Sequence, residues 1–405
     1  MTLQIPERPR IRPGLAAAAD ENDPSYIVVW DQLKISSHFV RMPRAHFELV
    51  SRMNGSRSLR DLQADVMRAT GGLLVPLDGF ADLVAQLDSI LFLDSPRFAE
   101  YIDGPIREPS CVGCYPAEPE AIRRLFRSYF VAEGGPGMPA TKPVDDRLIA
   151  LLVPHIDYAR GNVGYAWGFK ELFEHCDASL FVVIGTSHYS MERFTVTRKN
   201  FRTPLGIAET DQEYIDRLER HFGDGLFDDP LAHYPEHSIE LEVVFLQYMY
   251  ENFRPIRIVP IVVGPFRDCI EAGVSPSAQN DIRRMVAALQ AAEAESGERI
   301  CYVISGDLAH IGPKFGDPLP VSEPALSHSR AQDQKLMQHA EAINVAGYYD
   351  AIAAENDDRR ICGLPPTFTV LEAAKPSSGR LLHYGQYVHP EGFESVSFAS
   401  MAFYR

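Results

Sequence analysis

Short apolar runs alternate with helix-like patterns over most of the chain, from residue 147 to residue 405. The runs are rich in Val and Ile, which is typical of strands buried on both faces of a sheet; they are Leu148–Val153, Leu180–Ile184, Ile256–Val263 and Ile300–Ile304. Between them, apolar residues recur at helical spacing over residues 215–222, 239–249 and 282–294. Strands separated by helices predict an α/β fold with a central, mostly parallel sheet flanked by helices.

The first hundred residues follow a different pattern. The run Tyr26–Trp30 predicts a strand, and two helical patterns follow it, one after Ser58 and one from Asp78. Ser58 with Asp61 three residues later is typical of a helix N-terminus. We therefore predict a small α+β domain of winged-helix type over residues 1–104 and a larger α/β domain over residues 105–405. The small domain could also be a structural appendage or a dimerisation arm.

Composition narrows the classes of partner. The 405-residue chain has 55 acidic and 39 basic residues, a net charge of −16. Such a chain lacks the basic surface that binds nucleic acid or an anionic membrane, so we expect neither as a partner. No apolar run approaches the roughly 20 residues that cross a bilayer, and the polar start of the chain lacks the apolar segment of a signal peptide. We expect a cytoplasmic protein.

The number and spacing of the cysteines also fit a cytoplasmic protein. Six Cys in 405 residues are too few and too irregularly spaced for a disulfide scaffold. Cys111 and Cys114 form a C-x-x-C pair, which invites a redox or zinc assignment. However, no second pair accompanies it, and no strand–turn–helix pattern surrounds it to lower a thiol pKa. We expect this pair to have no redox role.

Side chains that can bind a metal follow three of the predicted strands directly. The carboxyl ends of parallel strands meet at one edge of a sheet, where sites form in α/β proteins. Two imidazoles with one carboxylate are the ligands of many non-heme iron sites, and the same donors can hold zinc. The residues placed in this way are His155, His188, Asp307 and His310.

Each of these residues also has an ordinary explanation. A single histidine after a strand is more often a hydrogen-bonded loop residue than a ligand. Asp307 could cap the following segment or pair with an arginine, and His310 could orient a ligand rather than bind the metal. Because imidazole binds a metal only when it is neutral, occupancy is expected to fall as the pH drops through the histidine range.

His237 stands at the start of a predicted helix, in the segment Tyr234–Glu240. The partial positive charge of a helix N-terminus keeps an imidazole neutral, and a neutral imidazole near a bound substrate can act as a general base. The alternative is a surface histidine paired with Glu240. The chain has no G-x-S-x-G, Walker or G-x-G-x-x-G motif, which disfavours a serine hydrolase or a nucleotide-binding protein.

Around these residues the chain resembles the MEMO family, whose bacterial members include AmmeMemoRadiSam system protein B. The resemblance runs from Arg107 to Arg405 and rests on motifs in a fixed order. They are R-x-P-x-x-x-G-x-Y-P at 107–116, Pro154-His155, Ser187-His188, Thr203-Pro204-Leu205-Gly206, Glu236-His237-Ser238-Ile239-Glu240, Asp307-Leu308-Ala309-His310 and Cys362-Gly363.

The resemblance implies the fold of class III extradiol dioxygenases, with a metal at the strand ends. By position, His155 and His188 match the two histidine ligands, and His237 matches the acid–base histidine. Animal members have a Cys at the position of Ala309, so we expect this ligand to be missing here. Asp307 is then the expected third ligand, with His310 as the alternative, and Asp157 beside His155 could compensate.

The first hundred residues resemble the PqqD-type peptide-binding domains, which implies recruitment of a peptide by strand addition. Taken together, we expect an oxidoreductase that uses a divalent metal on His155, His188 and Asp307, with Fe(II) favoured and Zn or Cu as the alternatives. His237, His310 and Asp157 are the expected catalytic residues, and the substrate is a small molecule or peptide-linked.

The alternative is a non-catalytic metal- or peptide-binding module that docks a partner. A radical-SAM or peptide partner and a homodimer are further expectations; the dimer follows only from how common dimers are.

Overall fold

The computed structural model describes residues 6–69, 71–72 and 76–405. The chain divides into two compact units, Met1–Pro105 and Ile106–Arg405. The N-terminal unit has its own buried apolar cluster, and the larger unit has one on each face of its sheet. In the described residues, no helix is both long enough and apolar enough to cross a membrane.

The N-terminal unit is a small α+β unit. Its strands β1 (Leu15–Ala19), β2 (Tyr26–Asp31) and β3 (Val40–Pro43) form an antiparallel sheet with β2 in the centre. Its helices are α1 (Arg44–Val50), α2 (Leu59–Ala69), α3 (Leu77–Ser89) and α4 (Pro96–Asp103). Ser58 caps α2 as predicted, because its Oγ accepts from the Asp61 amide while the Asp61 carboxylate accepts from the Ser58 amide.

The larger unit alternates strands and helices along the chain. Its strands are β4 (Ile106–Arg107), β5 (Leu148–Val153), β6 (Leu180–Thr186), β7 (Phe194–Val196), β8 (Asn200–Thr203), β9 (Gly206–Thr210), β10 (Arg257–Val263), β11 (Ile300–Ser305), β12 (His310–Ile311), β13 (Ser378–Val388) and β14 (Ser395–Tyr404). Its helices are α5 (Pro119–Val131), α6 (Tyr158–Gly161), α7 (Val163–His175), α8 (Gln212–Phe222), α9 (His237–Tyr250), α10 (Arg267–Ala272), α11 (Asn280–Ser296), α12 (Glu323–Glu341), α13 (Val345–Ala353) and α14 (Leu364–Ala374). Two short 3-10 helices are Pro276–Ala278 and Pro313–Phe315.

The strands of this unit form one 11-stranded sheet with a parallel centre. The neighbours β5, β11, β6 and β10 pair in parallel, in that order. On one side, β14 pairs antiparallel with β5 and also carries β12 and β13. On the other side, β9 pairs in parallel with β10, and β8 and β4 complete the edge. The predicted α/β fold with a mostly parallel central sheet is confirmed.

The central strands bury both of their faces. In β6, Leu180, Val182 and Ile184 belong to the apolar cluster that contains residues of α8, α11 and α12–α14. Phe181 and Val183 alternate with them and belong to the cluster that contains residues of α5, α7 and α9. Successive side chains of a strand point to opposite faces, so this alternation requires helices on both sides of the sheet.

A buried ion pair ties the first strand of this unit to α9. The side chains of Arg107 and Glu240 are fully buried and in contact. Arg107 also donates to three main-chain carbonyls before α9, those of His233 (3.0 Å), Tyr234 (3.0 Å) and Glu236 (2.8 Å). Glu240 accepts further hydrogen bonds from the amides of residues 110 and 111 and from the Tyr115 hydroxyl. The opening motif therefore fixes the start of α9.

The C-x-x-C pair lies in the same opening segment. Cys111 and Cys114 close a turn in which the Cys114 amide donates to the Cys111 carbonyl (2.9 Å), and Gly113 between them has a φ of +120°. None of the six cysteines, all of which lie in the described residues, forms a disulfide. The absence of a redox role stays a prediction.

The Arg107–Glu240 pair gives a stability test. Arg107→Met should lower the free energy of unfolding by about 3–5 kcal/mol, because Glu240 would stay buried without its cation. Arg123→Met is the matched control, since Arg123 pairs with Glu120 and Glu251 in partly exposed positions, and it should cost at most about 1 kcal/mol. Urea titrations measure both values. Equal losses for the two variants would contradict the assigned role of Arg107.

Candidate metal centre

Three adjacent parallel strands deliver metal-ligating side chains to one edge of the sheet. His155 follows β5, Asp307 follows β11 and His188 follows β6, and these strands are direct neighbours. His237 joins them as the first residue of α9. The structure therefore brings together the residues that we predicted as ligands and the predicted acid–base histidine.

Two groups of side chains have potential ligand atoms within 4.8 Å of one another. The first contains His155, His188 and His237, and the second contains His155, Asp307 and Cys362. The three imidazole rings are in contact, with centroids 5.1 Å apart for His155 and His188, 5.2 Å for His155 and His237, and 4.7 Å for His188 and His237. These five residues could hold a metal ion.

The environment of His155 indicates one site rather than two. Its Nδ1 lies 3.3 Å from Ser305 Oγ, while its Nε2 lies 3.1 Å from Cys362 Sγ and 3.8 Å from Asp307 Oδ2. The His155 amide donates to Asp307 Oδ1 (3.0 Å), which fixes the carboxylate beside the ring. Because one ring nitrogen is directed to Ser305, only Nε2 is left for an ion.

Glu236 orients His188. The Glu236 carboxylate accepts from the His188 amide (2.8 Å) and lies 3.0 Å from His188 Nδ1. It is almost fully buried and also accepts from the Ser238 amide as the N-cap of α9. Carboxylates that bind Nδ1 in this way fix the tautomer of a metal-ligating histidine and leave Nε2 for the metal.

Glu236 and His188 each favour the charged form of the other. Burial opposes ionisation of Glu236, but His188, its hydrogen bond and His237 together bring the pKa of Glu236 well below its usual value. Burial likewise opposes a charge on His188, yet the neighbouring Glu236 raises the pKa of that imidazole overall. Glu236 is therefore an ionised carboxylate in a buried position.

Cys362 is the residue that the sequence analysis missed as a ligand. It comes just before α14, and its carbonyl accepts from Thr186 Oγ1 (2.6 Å) at the end of β6. The Asp307 amide approaches its Sγ at 3.4 Å. The pair Cys362-Gly363 was part of the family pattern, and this was the signal available in the sequence.

The close approach of two glycines allows Cys362 to reach the strand ends. A Cβ on Gly306 would lie 2.5 Å from Gly363 Cα, and a Cβ on Gly363 would lie 2.7 Å from the Asp307 carbonyl oxygen. The Gly363 amide donates to that carbonyl (2.9 Å). Only residues without a side chain permit this contact between two backbones.

Ala309 has no side-chain donor, as expected, but the cluster contains a thiol from another residue. Ala309 is buried and its amide donates to Ser397 Oγ (2.9 Å). The thiol of the cluster comes instead from Cys362, which lies on a different loop. The candidate site therefore has a sulfur donor as well as nitrogen and oxygen donors.

Burial disfavours negative charge on the acidic side of the cluster. It raises the pKa of Asp307 to about 6, and it raises the pKa of the Cys362 thiol well above its usual value, with Asp307 adding to the effect. Burial and the neighbouring His188 lower the pKa of His155 well below its usual value. A bound cation would reverse the effect on the acidic groups, since it compensates the buried negative charge.

His237 is more accessible than His155 and about as accessible as His188. About 28% of its side chain is exposed, and its Nδ1 lies 3.4 Å from Glu236 Oε1. The alternative that His237 pairs with Glu240 does not hold, because Glu240 is buried against Arg107. His237 thus faces the cluster from the helix N-terminus.

Asp157 and His310 lie outside the two groups of potential ligands found in the described residues. The Asp157 carboxylate caps α6 by accepting from the Arg160 amide (3.1 Å) and pairs with the Arg160 guanidinium. His310 Nδ1 lies 3.1 Å from the carbonyls of Leu308 and Arg360, so this nitrogen carries the proton. The cap of α6 accounts for an aspartate at position 157. The catalytic roles of Asp157 and His310 stay predictions.

Fold and site together define an α/β protein with a candidate metal centre at the carboxyl ends of its parallel strands. In a comparison with known families, residues 107–402 match the family described as Memo-like protein. The match covers most of the chain, and the chain therefore belongs to the MEMO family, as the sequence analysis expected.

Individual relatives agree with this assignment. A MEMO1 family protein of Aquifex aeolicus is 28% identical over 397 residues, covering 93% of this chain and 96% of the relative. A MEMO1 family protein of Methanopyrus kandleri is 31% identical over 310 residues, covering 72% of this chain and 98% of the relative.

A solved structure of an uncharacterized protein of Escherichia coli K12 covers 64% of this chain and 100% of its own, with 17% identity and a TM-score of 0.37.

These comparisons leave the other resemblances as predictions. The likeness of the larger unit to extradiol dioxygenases and of the N-terminal unit to PqqD-type domains is untested. Since 93% of this chain aligns with the Aquifex aeolicus protein, the match to that relative includes much of the N-terminal unit.

His233, just before the cluster, gives a pH test of stability. It is almost fully buried, its Nε2 lies 3.1 Å from the Thr195 carbonyl oxygen, and burial lowers its pKa to about 4. The unfolded chain takes up this proton near pH 6.5, so stability is full above pH 6.5 and falls as the pH drops towards 4. The loss should be on the order of 3 kcal/mol.

Urea titrations between pH 7 and pH 4.5 measure this slope. His233→Gln has no proton to take up, and its stability should fall less steeply over the same range. His221→Gln is the control, because His221 is partly exposed and pairs with Glu295 at the surface. An unchanged slope in His233→Gln would show that the pH dependence has another origin.

Proposed function

We propose that this chain is a metal-dependent oxidoreductase with one divalent ion, Fe(II) in preference to Zn or Cu, that acts on a small-molecule or peptide-linked substrate. The observation that carries the proposal is the convergence of imidazole, carboxylate and thiol donors at three adjacent strand ends. Membership of the MEMO family is consistent with it but does not establish an activity.

The proposed ligands are His155, His188 and Cys362, with Asp307 beside them. Cys362 Sγ is closer to His155 Nε2 than the Asp307 oxygen is, at 3.1 Å against 3.8 Å. The other Asp307 oxygen already accepts from the His155 amide. We therefore extend the ligand set predicted from the sequence, in which Asp307 was the third ligand, by the thiol.

Imidazole, thiolate and carboxylate donors suit iron, zinc and copper alike. Iron(II) held by these residues would supply redox chemistry towards dioxygen and a substrate. His237 is the residue that we assign to proton transfer, because it contacts both proposed histidine ligands and remains partly exposed. It is the first residue of α9, with Glu236 Oε1 3.4 Å from its Nδ1, and an imidazole placed beside a bound substrate can accept and return a proton.

The second candidate is a metal-binding module without catalysis. The observation that favours it is the number of donors: His155, His188, Cys362 and Asp307 could fill four positions around one ion. Structural metal sites are closed in this way, whereas catalytic sites keep a position open. The oxidoreductase and the non-catalytic module differ in whether the iron-loaded protein reacts with dioxygen.

Metal content tests the ligand assignment. The protein purified without oxygen and incubated with Fe(II) should hold close to one equivalent by mass spectrometry, and His155→Ala plus His188→Ala should hold almost none. His221→Ala plus His328→Ala is the matched control, since both histidines lie outside the cluster in the described residues, and it should keep the wild-type content. Unchanged iron in the first double variant would refute the assignment.

Oxygen uptake separates the two functions. Iron-loaded protein with ascorbate as reductant should consume dioxygen faster than the same iron without protein. His237→Gln should retain the metal but slow the uptake by at least about tenfold, because loss of a general acid–base group costs about 100-fold or more in many enzymes. A loaded protein that is inert to dioxygen with every substrate tried would favour the non-catalytic module.

A further inference from the structure

The hydroxyl of Ser305 has three polar neighbours in the core of the larger unit. Ser305 is the last residue of β11 and is fully buried. Its Oγ lies 2.5 Å from the Ser238 carbonyl oxygen, 3.0 Å from Glu242 Oε1 and 3.3 Å from His155 Nδ1. It thus connects a proposed metal ligand to two residues of α9.

A count of protons decides the direction of these hydrogen bonds. A hydroxyl has one proton to donate and two lone pairs that accept. The Ser238 carbonyl can only accept and is the nearest of the three neighbours, so it receives the Ser305 proton. The two lone pairs of Ser305 Oγ then face Glu242 and His155, an arrangement that a protonated Glu242 carboxyl and a proton on His155 Nδ1 satisfy.

The surroundings of Glu242 fit a neutral carboxylic acid. The side chain is fully buried, and its Oε2 has no hydrogen-bond partner in the described part of the chain. The nearby hydroxyls of Tyr158 and Tyr165 donate elsewhere, to the carbonyls of Leu241 and Ile156. An ionised carboxylate in this position would lack the compensation that buried charges need. Burial raises the pKa of Glu242 well above its usual value, and Asp307 adds to the effect.

We propose that Ser305 and Glu242 are positioning residues of the metal centre, which hold His155 in the tautomer protonated on Nδ1. The lone pair of Nε2 then faces Cys362 and Asp307. The tautomer is a property of the metal-free chain, whereas its use in binding an ion rests on the proposed function.

The two proposed histidine ligands are therefore held in different ways by the same helix. Glu236 binds His188 directly as an ionised carboxylate. Glu242, six residues later on α9, acts on His155 through Ser305 as a neutral acid. Since a carboxylate partner makes an imidazole more basic, His188 is the stronger donor of the two.

The tautomer can be read directly. Full-length, metal-free protein labelled with ¹⁵N-histidine gives two-bond ¹H–¹⁵N correlations that distinguish the two neutral tautomers, and the His155 signal is assigned by its loss in His155→Gln. Wild type and Glu242→Gln should both show a proton on Nδ1, because the glutamine amide donates to Ser305 Oγ as the acid does. Ser305→Ala should show a mixture of tautomers.

Zinc affinity, measured by chelator competition, provides the second readout. Glu242→Gln should stay within about threefold of wild type, whereas Ser305→Ala should bind about 10- to 100-fold more weakly, as is usual when the partner of a ligating histidine is removed. Ser329→Ala is the control for loss of a buried hydroxyl, because Ser329 is buried on α12 and lies outside the cluster. It should match wild type.

Two results would overturn the proposal: a proton on Nε2 of His155 in the wild type, or a loss in Glu242→Gln as large as that in Ser305→Ala. If Ser305→Ala fails to fold, the wild type and Glu242→Gln still decide. Failure of wild type to bind iron or zinc would instead refute the proposed function, and the tautomer measurement separates the two failures.

Discussion

Parallel pairing of β5, β11 and β6 is the constraint on which the candidate metal centre depends. It brings together three segments that are far apart in the chain, those that follow residues 153, 186 and 305. Parallel strands need crossover connections, and the helices of those connections cover both faces of the sheet. The metal-ligating side chains can therefore converge only at the strand ends, where the chain leaves the apolar layers.

The part of the site that could be predicted is the part attached directly to buried strands. His155, His188 and Asp307 each follow an apolar run by two to four residues, so the strand fixes where they lie. Cys362 could not be placed from the pattern, because it precedes a helix and reaches the strand ends only through the contact between Gly306 and Gly363. Such a contact between distant backbones leaves no periodic signal in a sequence.

Local hydrogen bonding explains the position of the Asp157 carboxylate, whose catalytic role stays a prediction. Asp157 follows His155 by two residues, yet its carboxylate turns to the amide and guanidinium of Arg160. An Asp before a short helix is a favoured N-cap, a preference that the strand-end pattern alone does not include. The fold class was easier to predict, since four apolar runs separated by helical patterns determine the sheet and its two covered faces.

The contact between Gly306 and Gly363 also bears on how proteins of this architecture can diverge. The two loops that carry Asp307 and Cys362 meet without any side chain between them, so neither can gain a side chain there without moving the other. The positions of Asp307 and Cys362 relative to each other are thereby fixed. Variation in specificity would have to arise at less confined positions, such as the partly exposed His237 at the head of α9.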